Sequence, residues 1–300
     1  AIVELWLEED GCRRKIAFSG DLGHAGAAIL RDPAPVGEAD LVLLESTYGD
    51  RAHRSWDDTL AELGGVIGAA RNERGNILIP AFAVGRTQDI LYHFARNYDA
   101  WGMDRWTVFL DSPMAIEATE VYRRHADLYD ADARTLWRGG SGALRLPNLS
   151  LSRTSRQSME LNKVRAGAII IAGSGMCDGG RIRHHLKHNV WRAGCHVVIV
   201  GFQAAGTLGR SLVDGARSIR LWGETIRVAA SVHTIGGLSA HADQAGLLRW
   251  YRSFRGRPPV MLVHGEAEPS GILHRKLAEE CGADARVAAL GESLDLRALP

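Results

Sequence analysis

The feature that most constrains this chain is the repeated exchange, through its middle, of short apolar runs for segments with helical spacing. Residues 56–71 carry apolar side chains three and four apart and stop before Gly75, 77–79 is a short apolar run, and 85–96 returns to helical spacing. The exchange continues with a strand at 106–110 and a helix at 113–124 that has proline in its first turn. Strands at 168–172 and 196–200 then alternate with helices at 179–189 and 207–213. Such alternation predicts α/β layers with mainly parallel sheet, and runs this short and this apolar predict strands covered on both faces. Between 131 and 158 the pattern is irregular, with Gly139-Gly140-Ser141-Gly142 inside it.

The two ends read differently. The opening predicts a hairpin, with apolar positions through 2–7, a turn at Glu9-Asp10-Gly11 and a return at 15–18. A second apolar run, 41–44, ends in Glu45-Ser46-Thr47. After the middle come a strand at 226–232, a helix at 243–254, a strand at 260–263, a helix at 270–281 and a last strand at 285–290. No run approaches the roughly 20 apolar residues of a membrane span. The first ten residues hold Glu4, Glu8 and Glu9 with no basic cluster, so a secretory signal is not expected there. Cys12, Cys177, Cys195 and Cys281 are widely spaced and form no CxxC pair. That argues against a thiol–zinc site or a disulfide framework and makes a reducing cytoplasm the expected location.

The formal net charge of +1 hides an asymmetry. Residues 134 to 220 hold fourteen Lys/Arg against three acids, Glu160, Asp178 and Asp214, which leaves the rest of the chain near −10. A segment this basic in an otherwise acidic chain suits a polyanionic partner, although a solvated face with counter-ions has the same composition.

Several polar residues stand directly after apolar strands, where layered α/β folds gather their ligand sites. Asp21 follows in Ser19-Gly20-Asp21, Glu45 ends the run 41–44, and His264 follows 260–263 in Val263-His264-Gly265-Glu266. His241 lies in Ser239-Ala240-His241-Ala242-Asp243, just before a helix. Two histidines and two carboxylates so placed can bind a metal or move protons. Singly, each has a plainer reading: a helix cap or turn for the aspartate, a satisfied structural histidine for the others. The glycine-rich turn from Gly173-Ser174-Gly175-Met176 to Gly179-Gly180-Arg181 is similarly double-edged. Its backbone N–H groups can cradle phosphate at a helix start, yet tight turns need glycine anyway. His184, His185 and His188 sit on one predicted helix, where neighbouring side chains point about 100° apart, so packing or contact with the polyanionic partner is expected of them rather than a metal site.

The combination and order of these motifs resemble the β-CASP nucleases of the metallo-β-lactamase superfamily, which include bacterial RNA-processing enzymes and the pre-mRNA 3′-end cleavage subunit. Pro80-Ala81-Phe82-Ala83-Val84-Gly85-Arg86, Asp111-Ser112-Pro113-Met114-Ala115, Gly173-Ser174-Gly175-Met176, and Gly201-Phe202-Gln203 with Gly206-Thr207-Leu208-Gly209-Arg210 resemble that family's inserted domain. The resemblance implies a partial metallo-β-lactamase αββα sandwich with an inserted α/β (β-CASP) domain of mainly parallel sheet. Residues 1–54 and 226–300 would form the metallo-β-lactamase part, and 55–225 the insertion. It also implies roles: Asp21 as a carboxylate bridging two zinc ions, His264 as a zinc ligand, and Glu45 orienting His241, which protonates the leaving oxygen. Ser174, Gly175, Arg181, Arg210 and Arg86 match positions that contact RNA.

The expected activity is therefore zinc-dependent hydrolysis of RNA phosphodiester bonds, by endonuclease and also exonuclease attack on single-stranded RNA, with no membrane partner; the resemblance also admits a homodimer. Two zincs would polarise the phosphodiester and lower the pKa of a bridging water. A carboxylate-paired histidine suits the proton donation to the leaving group. One departure is plain. The superfamily's His-x-His-x-Asp-His motif is absent, as is a histidine that the family places before the segment matching residues 1–7. The expectation is that the chain lacks the N-terminal part of the metallo-β-lactamase domain, and that Asp21 and His264 alone do not complete a two-zinc site. The alternatives are a non-catalytic RNA-binding member, which typically loses the proton-transfer and ligand residues kept here, and a DNA nuclease of the same fold. In that DNA branch the position of His264 is usually valine.

Overall fold

The computed structural model describes residues 1–138, 144 and 146–299. The stretch Gly139-Gly140-Ser141-Gly142 lies outside them. The chain forms two compact units, one of Ala1–Ala27, Arg31–His53 and Ala240–Pro300, the other of Ala28–Leu30 and Arg54–Ser239.

The first unit opens with the antiparallel hairpin β1 (Val3–Glu9) and β2 (Cys12–Phe18). Glu9 pairs with Cys12, leaving a two-residue turn in which Asp10 and Gly11 both take positive φ, 50° and 75°. Asp-Gly is favoured in that turn because its twist matches the strands. Strand β3 (Leu41–Glu45) runs parallel to β2.

The chain then builds the larger unit. Its elements are α1 (Trp56–Asn72), β4 (Ile77–Pro80), α2 (Arg86–Arg96), β5 (Thr107–Leu110), α3 (Pro113–Arg124), α4 (Ala131–Arg138), β6 (Leu149–Leu151), α5 (Ser155–Leu161), β7 (Ala168–Ala172), α6 (Ile182–Asn189), β8 (His196–Ile199), α7 (Leu208–Val213), β9 (Ser218–Leu221), β10 (Glu224–Arg227) and β11 (Ser231–Thr234). Six of these strands form a parallel sheet in the order β11-β8-β4-β7-β5-β6. The inner strands β4, β7 and β8 are buried throughout. Ile77, Ile79, Ile169 and Ile171 point into one core, and Leu78, Ile170 and Val197 into another on the opposite face. A sheet covered on both faces explains runs that are apolar without alternation.

The chain returns to the first unit with α8 (Gln244–Tyr251), β12 (Val260–Val263), α9 (Ala267–Cys281) and β13 (Ala285–Val287). Strand β12 lies between β3 and β13 and is parallel to both, completing a five-stranded sheet β1-β2-β3-β12-β13. Val42, Leu44, Val260 and Leu262 pack with Leu247, Trp250, Leu273 and Leu277 of the two helices. On the other face Ile16, Leu41 and Met261 meet Leu294, Leu296 and Leu299.

Two stretches differ from the reading above. The segment expected to be irregular contains α4, β6 and α5, the last opened by a capping box in which Thr154 accepts from Gln157 N–H while the Gln157 side chain reaches back. The Thr-x-x-Gln signature was present and is the standard helix-start signal. The strand expected at 226–232 is two strands. Ala229 and Ala230 N–H both donate to Val190 O, which bends the chain between β10, paired in a separate hairpin with β9, and β11, paired with β8. Consequently 226–239 belongs to the larger compact unit, and the boundary falls after Ser239. Among the described residues no helix is long and apolar enough to cross a membrane.

Candidate active site

Glu45 ends β3 with its side chain buried to 1% exposure. Its backbone N–H donates to Ser19 Oγ at 3.0 Å. One carboxylate oxygen, Oε1, accepts from Leu22 N–H at 2.7 Å and so fixes the turn carrying Asp21. The other, Oε2, accepts from His241 Nδ1 at 2.8 Å. A buried carboxylate on one ring nitrogen sets the imidazole's orientation and leaves Nε2 as its working nitrogen. One acidic side chain thus holds both the aspartate loop and the histidine.

His264 stands directly after β12 with φ 53°, a left-handed conformation uncommon for a non-glycine residue. The turn is held from beneath. Ser46 Oγ bonds Val263 O at 2.9 Å and Ser270 Oγ at 2.8 Å, and a Cβ on Gly265 would lie 2.3 Å from Ser46 Oγ. Only glycine fits there. Thr47 Oγ1 lies 3.3 Å from Nδ1 of both His241 and His264 and donates to His264 O at 3.0 Å. With its hydrogen given to that carbonyl, the hydroxyl oxygen can accept from His264 Nδ1, whereas the one Nδ1 hydrogen of His241 goes to the closer Glu45 carboxylate. The two rings lie stacked, centroids 5.6 Å apart.

Asp21 Oδ1 lies 3.6 Å from His264 Nδ1, and one ligand atom each from Asp21, His241 and His264 fall within 4.8 Å of one another. Asp21 and His264 are well exposed, unlike Glu45. A carboxylate beside imidazoles is a donor set that suits zinc. These three side chains fit part of a four-coordinate shell, and the Glu45 bond to His241 Nδ1 leaves the Nε2 of that ring free. All four sequence-predicted residues therefore meet in one place within the smaller unit.

Two supporting residues escaped the sequence reading. Thr47 lies inside a quoted motif, but nothing in its spacing marks it as a bridge between two histidines. His53 Nε2 donates to His241 O at 2.9 Å, and its backbone N–H donates to Asp243 Oδ2 at 3.1 Å. Its ring packs edge-on against Tyr48. A histidine 188 positions away in sequence gives no local signal of this contact.

The positions matched to RNA contact are placed differently. The Arg181 guanidinium is engaged inside the larger unit: Nη1 donates to Asp111 Oδ1 at 2.7 Å and to Ser152 O at 2.8 Å, and Nη2 to Arg153 O at 3.2 Å. Asp111 is fully buried and also accepts from Ser158 Oγ and His185 Nε2, both at 2.6 Å. Burial acts to raise the Asp111 carboxyl, but the hydrogen bonds from His185, Ser158 and Arg181 hold it below the usual carboxylate range. Arg86 is buried and paired with Asp89 at 3.1 Å. Arg210 is partly exposed and paired with Asp214 one helical turn on. Gly175 is buried under Phe82, whose ring a Cβ there would meet at 2.7 Å, and its carbonyl accepts from Gln203. Ser174 N–H donates to Gly179 O, and Ser174 Oγ accepts from Gly179 N–H at 3.1 Å. The glycine-rich segment is a turn bonded largely to itself, and Arg181 and Arg86 are committed to internal carboxylates.

Comparison with known proteins agrees with the motifs. Residues 87–212 match the Beta-Casp domain family, and residues 225–288 match the Zn-dependent metallo-hydrolase RNA specificity domain. Over 281 residues the chain is 37% identical to a protein named ribonuclease TTHA0252 from Thermus thermophilus, covering 94% of this chain and 64% of that relative. It is 30% identical over 275 residues to a transcription termination factor, FttA, from Pyrococcus abyssi, with 87% of this chain and 42% of the relative covered. A protein called RNase J-like from Methanocaldococcus jannaschii is 28% identical over 268 residues, with 87% and 60% covered. The chain thus spans less than two thirds of the length of these relatives. It belongs to the β-CASP family of the metallo-β-lactamase superfamily.

Proposed function

We propose that the protein to which this chain belongs is a zinc-dependent ribonuclease that hydrolyses phosphodiester bonds of single-stranded RNA, chiefly as an endonuclease. The observation that carries the reading is the Glu45–His241 pair at 2.8 Å, set beside His264 and Asp21. A non-catalytic binding protein has no use for a buried carboxylate committed to orienting one histidine. The ribonuclease name of the Thermus relative and the RNA specificity domain match at 225–288 support RNA as substrate. The larger compact unit, which ends at Ser239 and holds the match at 87–212, is the inserted domain in this reading, and the smaller unit is the metal-binding one. Four free cysteines accord with a reducing cytoplasm.

In this reading Asp21 and His264 are metal ligands, and bound zinc supplies Lewis-acid polarisation of the phosphate and an activated water. Glu45 holds the Nδ1 proton of His241, so that the Nε2 proton faces the departing 3′ oxygen. Thr47 keeps both imidazoles in register. Glu45 also ties the Asp21 turn to the same carboxylate, so ligand and acid are positioned together.

Zinc binding and RNA cleavage measured in parallel on His241→Ala and His264→Ala test the assignment. His264→Ala is expected to weaken zinc binding and cleavage together. His241→Ala is expected to keep zinc and lose about 10²- to 10⁴-fold in cleavage rate, the usual contribution of a general acid. Equal zinc loss in both variants makes His241 a ligand and refutes the division of roles.

A further inference from the structure

The larger unit carries an aromatic and basic surface that shares no residue with the site just described. Trp222 sits at the tip of the β9–β10 hairpin, 48% exposed. Leu221 pairs with Glu224, so Trp222 and Gly223 form the two-residue turn, with φ 48° and 84°. Such turns favour Asn or Gly, because a bulky side chain pays for positive φ. About half of the indole surface stays open in a turn that disfavours a bulky residue, and strained positions cluster where a surface is used.

The indole is held from one side by the exposed face of α6. His184 stacks on it at 4.5 Å between centroids, Arg183 lies 4.9 Å from the ring centre and Lys187 5.9 Å. Lys187 is neutralised by Glu224 at 2.6 Å. Arg183 and Arg220 form no ion pair among the described residues, and Arg183 Nε is buried without a hydrogen-bond partner there. Both arginines line one cavity of about 380 Å³, together with Leu208, Ser211, Ser218 and Ile219. The hairpin register puts Arg220 and Thr225 on one face and Ser218 and Arg227 beside them, adding a second cation.

We propose that this surface is a sequence-tolerant binding site for single-stranded RNA. One base stacks on the free face of Trp222, and the flanking phosphates are taken by Arg183 and Arg220. An aromatic platform beside arginines with no carboxylate partner among the described residues, Arg183 donating only to the Asp178 carbonyl at 3.4 Å, is the chemistry that holds an unpaired strand without reading its sequence. The proposal rests on the RNA reading given above.

The test is binding of several unrelated single-stranded RNAs to the full chain across a salt series. Trp222→Asn is expected to weaken every RNA by about 5- to 150-fold, the range seen for lost base–aromatic stacking. It should not lower the melting temperature, because asparagine suits the turn. Trp222→Phe should keep most of the affinity. Arg183→Ala and Arg220→Ala should each flatten the slope of log affinity against log salt by about 0.7, one phosphate on a single strand. An abasic strand of equal length should bind the wild type as weakly as RNA binds Trp222→Asn. If Trp222→Asn binds RNA like the wild type, the site is overturned while the RNA reading stands. If the wild type binds no RNA even at low salt, the RNA reading falls and takes the site with it. If polyglutamate competes as strongly as RNA and also needs Trp222, the surface serves an acidic protein and the proposal is wrong.

Discussion

Replacing Arg181 by alanine separates two uses of the same side chain. If Arg181 is a phosphate clamp, its loss costs RNA affinity and salt dependence but little stability. The structure points the other way. Arg181→Ala removes a charge-assisted bond to buried Asp111 and two bonds to the carbonyls of Ser152 and Arg153, leaving the Asp111 carboxylate with only Ser158 and His185. A hydrogen bond to a charged group contributes about 1.5–3 kcal/mol, and breaking a buried pair costs about 3–5 kcal/mol. The arginine is one-fifth exposed and Asp111 keeps two partners, so the lower end applies, about 3 kcal/mol. For a unit of this size that is a fall in Tm of roughly 6–12 °C. Arg181→Lys keeps the charge but not the fork, and should recover about half of the loss. Thermal melts and RNA binding across a salt series are run on the same preparations. The expected result is a destabilised protein whose remaining folded fraction keeps the wild-type salt slope. An unchanged Tm with a slope flattened by about 0.7 refutes the reasoning and makes Arg181 a phosphate ligand.

Two further outcomes follow from buried groups. Burial, helped by Arg96 and Arg86, pushes His93 down to about 4 from an ordinary 6.5. Between those values the unfolded chain takes up a proton that the native chain refuses, so stability is full above pH 6.5 and falls by roughly 3 kcal/mol as pH drops towards 4. Neither ring nitrogen has a hydrogen-bond partner among the described residues, so His93→Leu should remove that share of the acid loss without lowering stability at pH 7; urea melts at pH 7, 5.5 and 4.5 check it, and an acid limb like the wild type's counts against it. Gly265→Ala should drive a methyl group into Ser46 and Ser270, cost about 1–3 kcal/mol and weaken zinc binding at least tenfold, read by melts and zinc titration. Unchanged zinc affinity in that variant would mean that the turn does not seat His264.

Much of the fold was legible because the parallel strands are short, uniformly apolar and bracketed by helices with clear starts. The strands 168–172 and 260–263 and the helix 113–124 coincide with β7, β12 and α3 to the residue. Legibility failed where pairing, not pattern, decides. Residues 224–232 contain enough β-branched and apolar side chains for one strand, but two N–H groups donating to Val190 O split it. The site residues were legible through position, since Asp21, Glu45 and His264 each follow a strand of one sheet and parallel strands bring their ends together. The partners of the basic residues were not, because a guanidinium satisfies a buried carboxylate as readily as a phosphate. Arg181 and Arg183 are two positions apart after the same glycine-rich turn, so they leave the helix start in different directions. One turns inward to Asp111, and the other lies over Trp222 with no carboxylate partner among the described residues. A count of arginines does not tell these two uses apart, and Arg183→Ala against Arg181→Ala in one salt series separates them: the first is expected to flatten the salt slope and the second to lower Tm.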